Sequence, residues 1–359
     1  MEAQEAAPQN TQYKMQLQEI VAPLLEWYAA NARALPWREN TDPYRVWVSE
    51  IMLQQTRVEA VKPYFERFVK QLPTIADLAA AEEEVLLKLW EGLGYYTRAR
   101  NLQKAAQIIC GKYNGIFPDS YKEILSLPGI GPYTAGAISS ISFERPEPAV
   151  DGNVLRVITR LREDGRCVTE ASVRKQISAE LAEVYPAGRC GAFTQSLMEL
   201  GAILCTPNGF PRCESCPLLS LCGAARNGTQ LRFPVQNKKL PRSRQEKTVF
   251  LLHFENLIAL RKRPPSGLLG GLWEFPNADG SLTEAEAAAW LKAQELSCER
   301  IEKGACKTHV FTHVEWRMES YRVFCKMKND RFLWVTREAL EDSVMLPAAF
   351  KKFTDASVF

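Results

Sequence analysis

The sequence predicts two folded parts, an all-helical N-terminal region and a smaller α+β region that follows it. Up to about Leu231, apolar residues recur at intervals of three and four, which is the spacing of amphipathic helices. A basic, proline-containing segment then interrupts this spacing, and the alternating apolar residues beyond it are typical of strands. The 359 residues are also enough for two domains of ordinary size.

The helical elements are predicted where the apolar spacing is most regular. These windows are residues 17–28, 85–90, 102–109, 154–161 and 193–204. Short turn signals separate them, namely Pro73, Gly92, Gly94, Gly115, Pro118 and residues 128–132. We interpret residues 1–16 as an N-terminal tail and residues 17–231 as one helical domain.

The composition changes after this domain. Between residues 226 and 247 there are seven lysines and arginines and the single acid Glu246, together with two prolines. We predict a basic linker over residues 232–247, which either crosses solvent or lies along phosphates. Beyond it, paired strands are predicted over residues 248–260, a helix over 283–294 and a strand over 316–324. Residues 248–359 are therefore predicted to form an α+β domain.

Composition excludes several classes of protein. The chain is 46% hydrophobic and 24% charged, which excludes a disordered chain, a fibrous protein and a small disulfide scaffold. No apolar run approaches the ~20 residues of a membrane helix, and the first residues lack a signal-peptide core. We therefore expect no membrane association and a cytosolic or organellar location. The net charge of +3 is small, so any basic surface must be local.

Four of the ten cysteines are closely spaced, as Cys205-x7-Cys213-x2-Cys216-x5-Cys222. Four thiolates within one short segment can close on a single metal centre, and both zinc and an iron–sulfur cluster accept such a set. The other six are scattered, and we interpret each as a buried thiol: Cys110, Cys167, Cys190, Cys298, Cys306 and Cys325.

A glycine-rich segment, LPGIGPYTAG over residues 127–136, lies between two helical stretches. Gly129 and Gly131 allow a tight turn that brings bare backbone N–H groups to an anion, and the next helix adds its positive N-terminal end. Such a hairpin binds a DNA phosphate whatever the base, although a plain helix–helix turn is the alternative.

Two carboxylates have the pattern of an acid–base pair. Asp151 precedes an apolar helix, where an N-cap aspartate is the simplest interpretation. An ionised carboxylate there can also stabilise a cationic sugar as a glycosidic bond breaks. Glu50 is the single acid in the apolar run 46–56, where low polarity favours its protonated form, as a general acid requires.

Together these residues resemble the endonuclease III superfamily of helix-hairpin-helix DNA glycosylases. The likeness covers residues 17 to 350. The superfamily features are the LPGIG hairpin, Asp151 and the four cysteines. Five segments resemble the adenine DNA glycosylase (MutY-type) branch, namely LPWR (35–38), SEIMLQQT (49–56), GLGYY (92–96), DGNV (151–154) and ELGA (199–202).

This resemblance implies an architecture and a cofactor. It implies two helical subdomains, about 35–145 and 17–34 with 146–231, with the DNA and the active site between them. It implies one four-iron–four-sulfur cluster on Cys205, Cys213, Cys216 and Cys222. The seven-residue first spacing is one longer than the spacing in bacterial members, and an extra loop residue costs little.

The resemblance also implies a mechanism. Glu50 protonates N7 of adenine so that the base leaves neutral, and Asp151 stabilises the sugar cation. Tyr133 and Asn153 place the groups around it. Family members that also cut the strand carry a lysine where this chain has Tyr133, so base removal without strand cleavage is expected. The alternatives are a bifunctional glycosylase for oxidised pyrimidines and a non-catalytic DNA-binding protein.

Further residues are implied to contact the DNA or its bases. Leu53 and Gln55 resemble the residues that fill the gap left by the flipped base, and Tyr95 resembles the one that wedges beside the opposite base. The remaining predicted contacts in the helical domain are Trp37, Arg38, Gln54, Gly129, Ile130, Gly131 and Glu199.

The second domain resembles the Nudix-like C-terminal domain of the same branch through RPPSGLLGGLWEFP at residues 263–276. The magnesium-binding helix signature of Nudix hydrolases, REUxEExGU, does not occur in the sequence, so lesion reading is expected instead of nucleotide hydrolysis. Phe311, Thr312 and His313 resemble the Phe-Ser-His loop that contacts 8-oxoguanine, with a threonine that keeps the hydroxyl and adds a methyl group.

The implied partner is double-stranded DNA with adenine opposite 8-oxoguanine or G. We expect a monomer, and the sequence does not identify its protein partners. For a bacterial protein, the expected location is the cytoplasm, in association with the nucleoid. For a eukaryotic protein, it is the nucleus or the mitochondrion.

Overall fold

The structure, a computed structural model, describes residues 16–237 and 241–354. It divides into two compact units: one comprises Met1–Ala80 with Asn101–Lys238, and the other comprises Ala81–Arg100 with Lys239–Phe359. The predicted tail lies outside the described residues except for Gln16. No helix in the described part of the chain is long and apolar enough to cross a membrane.

The chain before the sheet is helical, as predicted. Every predicted helical window falls on a helix, and the first begins with a 3-10 turn at Leu17–Ile20. The α-helices are α1 (Val21–Asn31), α2 (Pro43–Leu53), α3 (Val58–Gln71), α4 (Ile75–Ala80), α5 (Glu83–Leu89), α6 (Thr97–Tyr113), α7 (Tyr121–Leu125), α8 (Pro132–Phe143), α9 (Gly152–Arg162), α10 (Ala171–Ala182), α11 (Cys190–Ile203) and α12 (Gly223–Asn227).

The packing of these helices brings distant parts of the sequence together. Helix α8 contacts both α2 and α11, and α11 also contacts α1 and α9. Ile20, Ile158, Ile177 and Phe193 are fully buried in a core to which the first 3-10 turn, α1, α9, α10 and α11 contribute. Helix α8 is buried along residues 134–141 and lies between α2 and α11.

The second unit is built on a mixed sheet. Its elements are β1 (Ser243–Phe254), β2 (Leu257–Lys262), β3 (Trp273–Glu274), β4 (Asn277–Asp279), α13 (Glu284–Ala293), β5 (Cys298–Val310), β6 (Val314–Cys325), β7 (Leu333–Thr336), α14 (Arg337–Asp342) and α15 (Ala348–Lys351). The strand order is β3-β2-β1-β6-β5, with β4 paired to β1 and β7 to β2. Apolar clusters around Phe350 and around Leu291 form its core. The α+β prediction is confirmed.

The segment 81–100 packs in this second unit, although we predicted it as part of the helical domain. Lys351 forms an ion pair of 2.9 Å with Glu91, and Arg100 donates a hydrogen bond of 2.9 Å to the Gly270 carbonyl. These contacts join residues far apart in sequence, which no local pattern reveals.

The predicted linker is too long. Strand β1 begins at Ser243, whereas the linker was predicted to end at Lys247. Residues 243–246 are exposed and pair with β6 through their backbone, so their side chains carry no apolar signal. Val235 bridges to Cys167 at the other end, and residues 238–240 lie outside the described ranges.

The burial predicted for the scattered cysteines is also partly wrong. Cys190 and Cys325 are buried, but Cys306 is exposed and the other three are intermediate. Cys306 lies on β5, an edge strand, and there only part of the side-chain surface is covered.

Candidate active site

A cavity of about 1120 Å³ in the first unit collects most of the residues predicted to be catalytic or to contact DNA. Helices α2, α8, α9 and α11 and the turn before α2 supply them. The predicted residues in its lining are Trp37, Arg38, Glu50, Leu53, Gln54, Gln55, Tyr133, Asp151, Asn153 and Glu199.

Glu50 is buried in this cavity on α2 and is only 6% exposed. Tyr133, on the first turn of α8, donates a hydrogen bond of 2.5 Å from its hydroxyl to Glu50 Oε2. Burial raises the pKa of Glu50 to about 7; the hydrogen bond from Tyr133 opposes this rise and the charge of Asp151 adds to it. Near neutral pH the carboxyl group can therefore hold and release a proton.

Asp151 is the N-cap of α9, as predicted, and lines the same cavity. Its Oδ1 accepts a hydrogen bond of 2.8 Å from the Val154 amide, and its Oδ2 accepts one of 2.7 Å from Asn153 Nδ2. Burial raises the pKa of Asp151 above its ordinary value, and these two hydrogen bonds, which favour the charged form, oppose part of that rise. The two carboxylates thus have different surroundings, one held by a tyrosine hydroxyl and one by N–H donors.

Arg156 holds Asn153 in place, and the sequence analysis missed it. Its Nη2 donates to Asn153 Oδ1 and to the Gly201 carbonyl, each at 2.8 Å, and its Nε donates to the Cys205 carbonyl at 2.7 Å. A Cβ on Gly201 would lie 2.6 Å from the Asn153 Cβ, so a glycine there allows α11 to approach α9. An arginine three residues after Asn153 on an apolar helix was the available signal.

Glu199 is fully buried on α11 and holds two arginines. Its oxygens accept hydrogen bonds of 2.6 Å from Arg33 Nε and 2.9 Å from Arg38 Nη2. Burial alone raises its pKa, but the hydrogen bonds from Arg33 and Arg38 outweigh burial and lower the pKa to about 2. Arg33 was not predicted, because it is 166 residues from its partner.

The glycine hairpin joins α7 to α8 and is outside the lining of this cavity. Gly129 has a φ of +78°, and Gly131 is the N-cap of α8. Ile130 between them is buried and anchors the turn. The two glycines therefore leave backbone, not side chains, at this end of α8.

The four clustered cysteines follow α11 and precede α12. Cys205, Cys216 and Cys222 pack against the core of the first unit, and burial together with the other three thiols raises the pKa of Cys216 to about 12. Arg160 Nη1 and Gln230 Nε2 donate to the sulfurs of Cys205 and Cys213, at 3.3 and 3.7 Å. No group of three or more His, Cys, Asp or Glu side chains within residues 16–237 and 241–354 is arranged to hold a metal ion.

The second unit has its own cavity, of about 570 Å³, which brings Tyr95 together with Phe311, Thr312 and His313. The hydroxyls of Tyr95 and Thr312 are hydrogen-bonded to each other. Tyr95 is 49% exposed and has a φ of +49°, so it projects from a turn and is not a core residue. Residues predicted to contact the opposite strand are therefore neighbours.

Known proteins resemble this chain in both sequence and fold. The HhH-GPD superfamily base excision DNA repair protein profile matches residues 48–185, and the NUDIX domain profile matches 248–356. The adenine DNA glycosylase of Buchnera aphidicola subsp. Schizaphis graminum is 34% identical over 81% of this chain and 83% of its own length.

Two solved structures share the helical fold. A thermostable thymine-DNA glycosylase is 29% identical with a TM-score of 0.53, over 58% of this chain and 97% of its own. Endonuclease III in a non-covalent DNA complex is 27% identical with a TM-score of 0.50, over 59% and 98%. From the two domain profiles and the curated relative, the chain belongs to the adenine DNA glycosylase family, with a helix-hairpin-helix glycosylase domain followed by a Nudix-like domain.

Proposed function

We propose that this chain is a monofunctional DNA glycosylase that removes adenine from duplex DNA when it lies opposite 8-oxoguanine or G. The observation that carries the proposal is the pair of buried carboxylates in one cavity, Glu50 with a pKa of about 7 and Asp151 held by N–H donors. Cleavage of a glycosidic bond passes through a transition state with positive charge on the sugar. It requires an acid and an anion that are held in separate environments.

The target base must leave the helix before it reaches the cavity. Glu50 then gives its proton to N7 of adenine, so that the base departs as a neutral molecule. Tyr133 forms no covalent bond with the substrate. Its hydroxyl orients the carboxyl group of Glu50 through the 2.5 Å hydrogen bond. Asp151 stabilises the positive charge that develops on the sugar, and Asn153 fixes the orientation of that carboxylate.

The product should be an abasic site in an uncut strand. Strand cleavage by this family's route needs an amine that forms a Schiff base with the sugar. The position next to the hairpin holds Tyr133 instead, whose phenol has no amine. Burial and the neighbouring Glu50 also raise the pKa of that phenol well above its ordinary value. Base removal therefore ends the reaction.

The hairpin at Gly129 and Gly131 is proposed to bind a DNA phosphate. Helix α8 has twelve residues and Gly131 as its N-cap. Its first residue, Pro132, has no N–H, so the next backbone N–H groups, those of Tyr133 and Thr134, are the ones available to an anion. Phosphate contacts of this kind fix the position of the DNA and do not read its sequence.

The four clustered cysteines are proposed to hold one four-iron–four-sulfur cluster. Cys205, Cys216 and Cys222 pack against the same apolar core, and N–H donors from Arg160 and Gln230 point at the sulfurs of Cys205 and Cys213, as suits thiolates around a cluster. When bound, the cluster would cross-link the segment between α11 and α12. The Cys205 carbonyl would then be held in place, and with it Arg156 and Asn153.

Tyr95, Phe311, Thr312 and His313 are proposed to read the base opposite the adenine. Adenine itself is an ordinary base, so selectivity must come from the other strand. The cavity of the second unit offers two aromatic rings, hydroxyl groups and an imidazole for this purpose.

Duplexes containing A opposite 8-oxoguanine, A opposite G, or thymine glycol test the proposal, each with and without alkali. We expect adenine release from the first two and strand breaks only after alkali. Glu50→Gln and Asp151→Asn should each lower the single-turnover rate at least ~100-fold while duplex binding persists. Glu59→Gln is the matched control, since Glu59 lines the mouth of the same cavity but pairs with Lys62.

Other outcomes would contradict the proposal in different ways. Equal strand cleavage without alkali would identify a bifunctional enzyme, and activity on thymine glycol alone would identify a pyrimidine enzyme. Binding without base release from any duplex would identify a non-catalytic protein. Iron and sulfide analysis after anaerobic purification should give about four irons per chain. Stoichiometric zinc without iron would contradict the cluster.

A further inference from the structure

Two cysteines outside the proposed cluster face each other across strands β5 and β6. Cys298 is the first residue of β5, Cys325 is the last of β6, and the two are direct partners in the antiparallel register. The Lys326 amide donates a hydrogen bond of 2.8 Å to the Ser297 carbonyl, so Ser297 and Lys326, the neighbours of the two cysteines, form a hydrogen-bonded pair. Cys298 and Cys325 therefore form a non-hydrogen-bonded pair, whose Cα atoms lie about 4.5 Å apart in antiparallel sheets.

This placement suits a disulfide without movement of the backbone. Disulfides span Cα separations of about 4.4–6.8 Å and need both Cβ vectors on one face. Both side chains belong to the same apolar cluster, beside Leu296 and Val323, with Cys325 7% exposed and Cys298 half-buried.

The two thiols are also chemically distinct. A hydrogen bond between them lowers the pKa of Cys298, whereas the same bond and burial raise the pKa of Cys325. Cys298 is the more accessible of the two and carries more thiolate character, so it is the nucleophile of the pair.

Another cysteine on the same strand provides a comparison. Cys306 is exposed, but its cross-strand partner is Glu319, so it has no thiol opposite it. Exposure alone would favour reaction at Cys306, whereas formation of an internal disulfide requires the facing pair.

We propose that Cys298 and Cys325 are a reversible modification site, a dithiol that a small-molecule disulfide such as oxidised glutathione converts to a cross-strand disulfide. The Cys298 thiolate attacks one sulfur of oxidised glutathione, forms a mixed disulfide and expels one glutathione thiolate. Cys325 then loses its proton, attacks the Cys298 sulfur and expels the second glutathione. Two protein thiols are oxidised, and one glutathione disulfide is reduced to two thiols.

The disulfide would close the open end of the β5–β6 hairpin. The other end of this hairpin is the loop with Phe311, Thr312 and His313, so both ends would then be fixed. A cross-link also restricts the unfolded chain, so the oxidised protein should be harder to unfold. This inference does not depend on the proposed function.

The test uses the full chain with its natural metal content, equilibrated in excess oxidised or reduced glutathione. Free thiols are then blocked with N-ethylmaleimide, and the peptides are mapped by mass. We expect the peptides of Cys298 and Cys325 to be linked in the oxidised sample and separately alkylated in the reduced one. The melting temperature of the oxidised form should be higher by at least ~4 °C.

Three variants complete the design. Cys298→Ser and Cys325→Ser should each abolish the link, and Cys306→Ser, the matched control, should leave it intact. The proposal is overturned if both cysteines remain alkylated in saturating oxidised glutathione, if Cys298 stops at the mixed disulfide, or if it links to another cysteine. The mapping of the unsubstituted chain decides the question even where a variant fails to fold.

Discussion

Removing the hydroxyl of Tyr133 should shift the pH dependence of adenine excision to higher pH. In the structure this hydroxyl donates a 2.5 Å hydrogen bond to Glu50, and that bond opposes the rise in pKa that burial causes. A hydrogen bond to a charged group contributes about 1.5–3 kcal/mol, and one pKa unit corresponds to about 1.4 kcal/mol. In Tyr133→Phe the pKa of Glu50, about 7 in the unaltered chain, should therefore rise by about one to two units.

The sign of the effect on rate follows from the proposed role of Glu50 as the general acid. The acid works only when it is protonated, so the rate is constant below its pKa and falls tenfold per pH unit above it. In the unaltered chain this fall should begin near pH 7, because the pKa of Glu50 is about 7. In Tyr133→Phe it should begin about one to two units higher, whatever the plateau rate becomes.

The assay is single-turnover excision with saturating enzyme on a duplex with A opposite 8-oxoguanine, across the neutral and alkaline range. Tyr44→Phe is the control, because Tyr44 is buried on the same helix as Glu50 but donates its hydrogen bond to the Leu72 carbonyl, at 2.6 Å. The midpoint should not move in this variant. An unchanged or lower midpoint in Tyr133→Phe would refute the reasoning.

Three further substitutions test the frame around the site. Gly129→Ala should weaken duplex binding and lower the free energy of unfolding by ~1–3 kcal/mol, because φ is +78° and the new Cβ would lie 2.7 Å from the Asn101 Cβ. Gly111→Ala is the control in gel-shift and urea assays and should lower neither quantity, because Gly111 lies on α6, outside the hairpin, with no atom within 4 Å of its Cβ. Glu199→Gln should lower the free energy of unfolding, measured with urea at pH 7, by ~2 kcal/mol. The reason is that a carboxylate with a lowered pKa stabilises the fold at pH values above that pKa. An unchanged free energy would mean that the two ion pairs of Glu199 make no net contribution. Arg156→Lys should slow excision ~10-fold with unchanged duplex affinity, because lysine cannot hold Asn153 and two carbonyls together; loss of affinity would instead indicate misfolding.

Regular apolar spacing predicted five of the α-helices, and α10 is one that it missed. Helix α10 buries Val173, Ile177 and Leu181, one residue per turn, and this stripe is too narrow to stand out among polar residues. Strand β5 was missed for a related reason. Much of its surface is exposed, and it is held mainly by backbone pairing with β6, which leaves no mark on side-chain identity.

The site was predictable to the extent that its residues lie in local motifs. Asp151 and Asn153 lie at the start of one helix, and their hydrogen bonds are local. The ion pair of Arg33 with Glu199 is not local, and nothing in the segment around either residue indicates the other. Long-range partners are set by helix packing, which a single sequence does not display.

The hydrogen bond between Tyr95 and Thr312 joins two predicted site residues that are 217 positions apart. We predicted separate roles for them, a wedge beside the opposite base and a reader of that base. In the structure their hydroxyls are partners in one cavity, so the two residues should act as a unit. A substitution at one should then change what the other contributes.

A double-mutant cycle measures this coupling. Thr312→Val keeps the shape and removes the hydroxyl, and it should lower the preference for A opposite 8-oxoguanine over A opposite G about fivefold, the effect of one hydrogen bond of ~1 kcal/mol. Thr312→Ser keeps the hydroxyl and should be nearly neutral. Tyr95→Phe should resemble Thr312→Val, and the double variant should lose no more than either single one, because both remove the same bond. If the losses add instead, each hydroxyl contacts the DNA independently and the hydrogen bond between them plays no part in recognition.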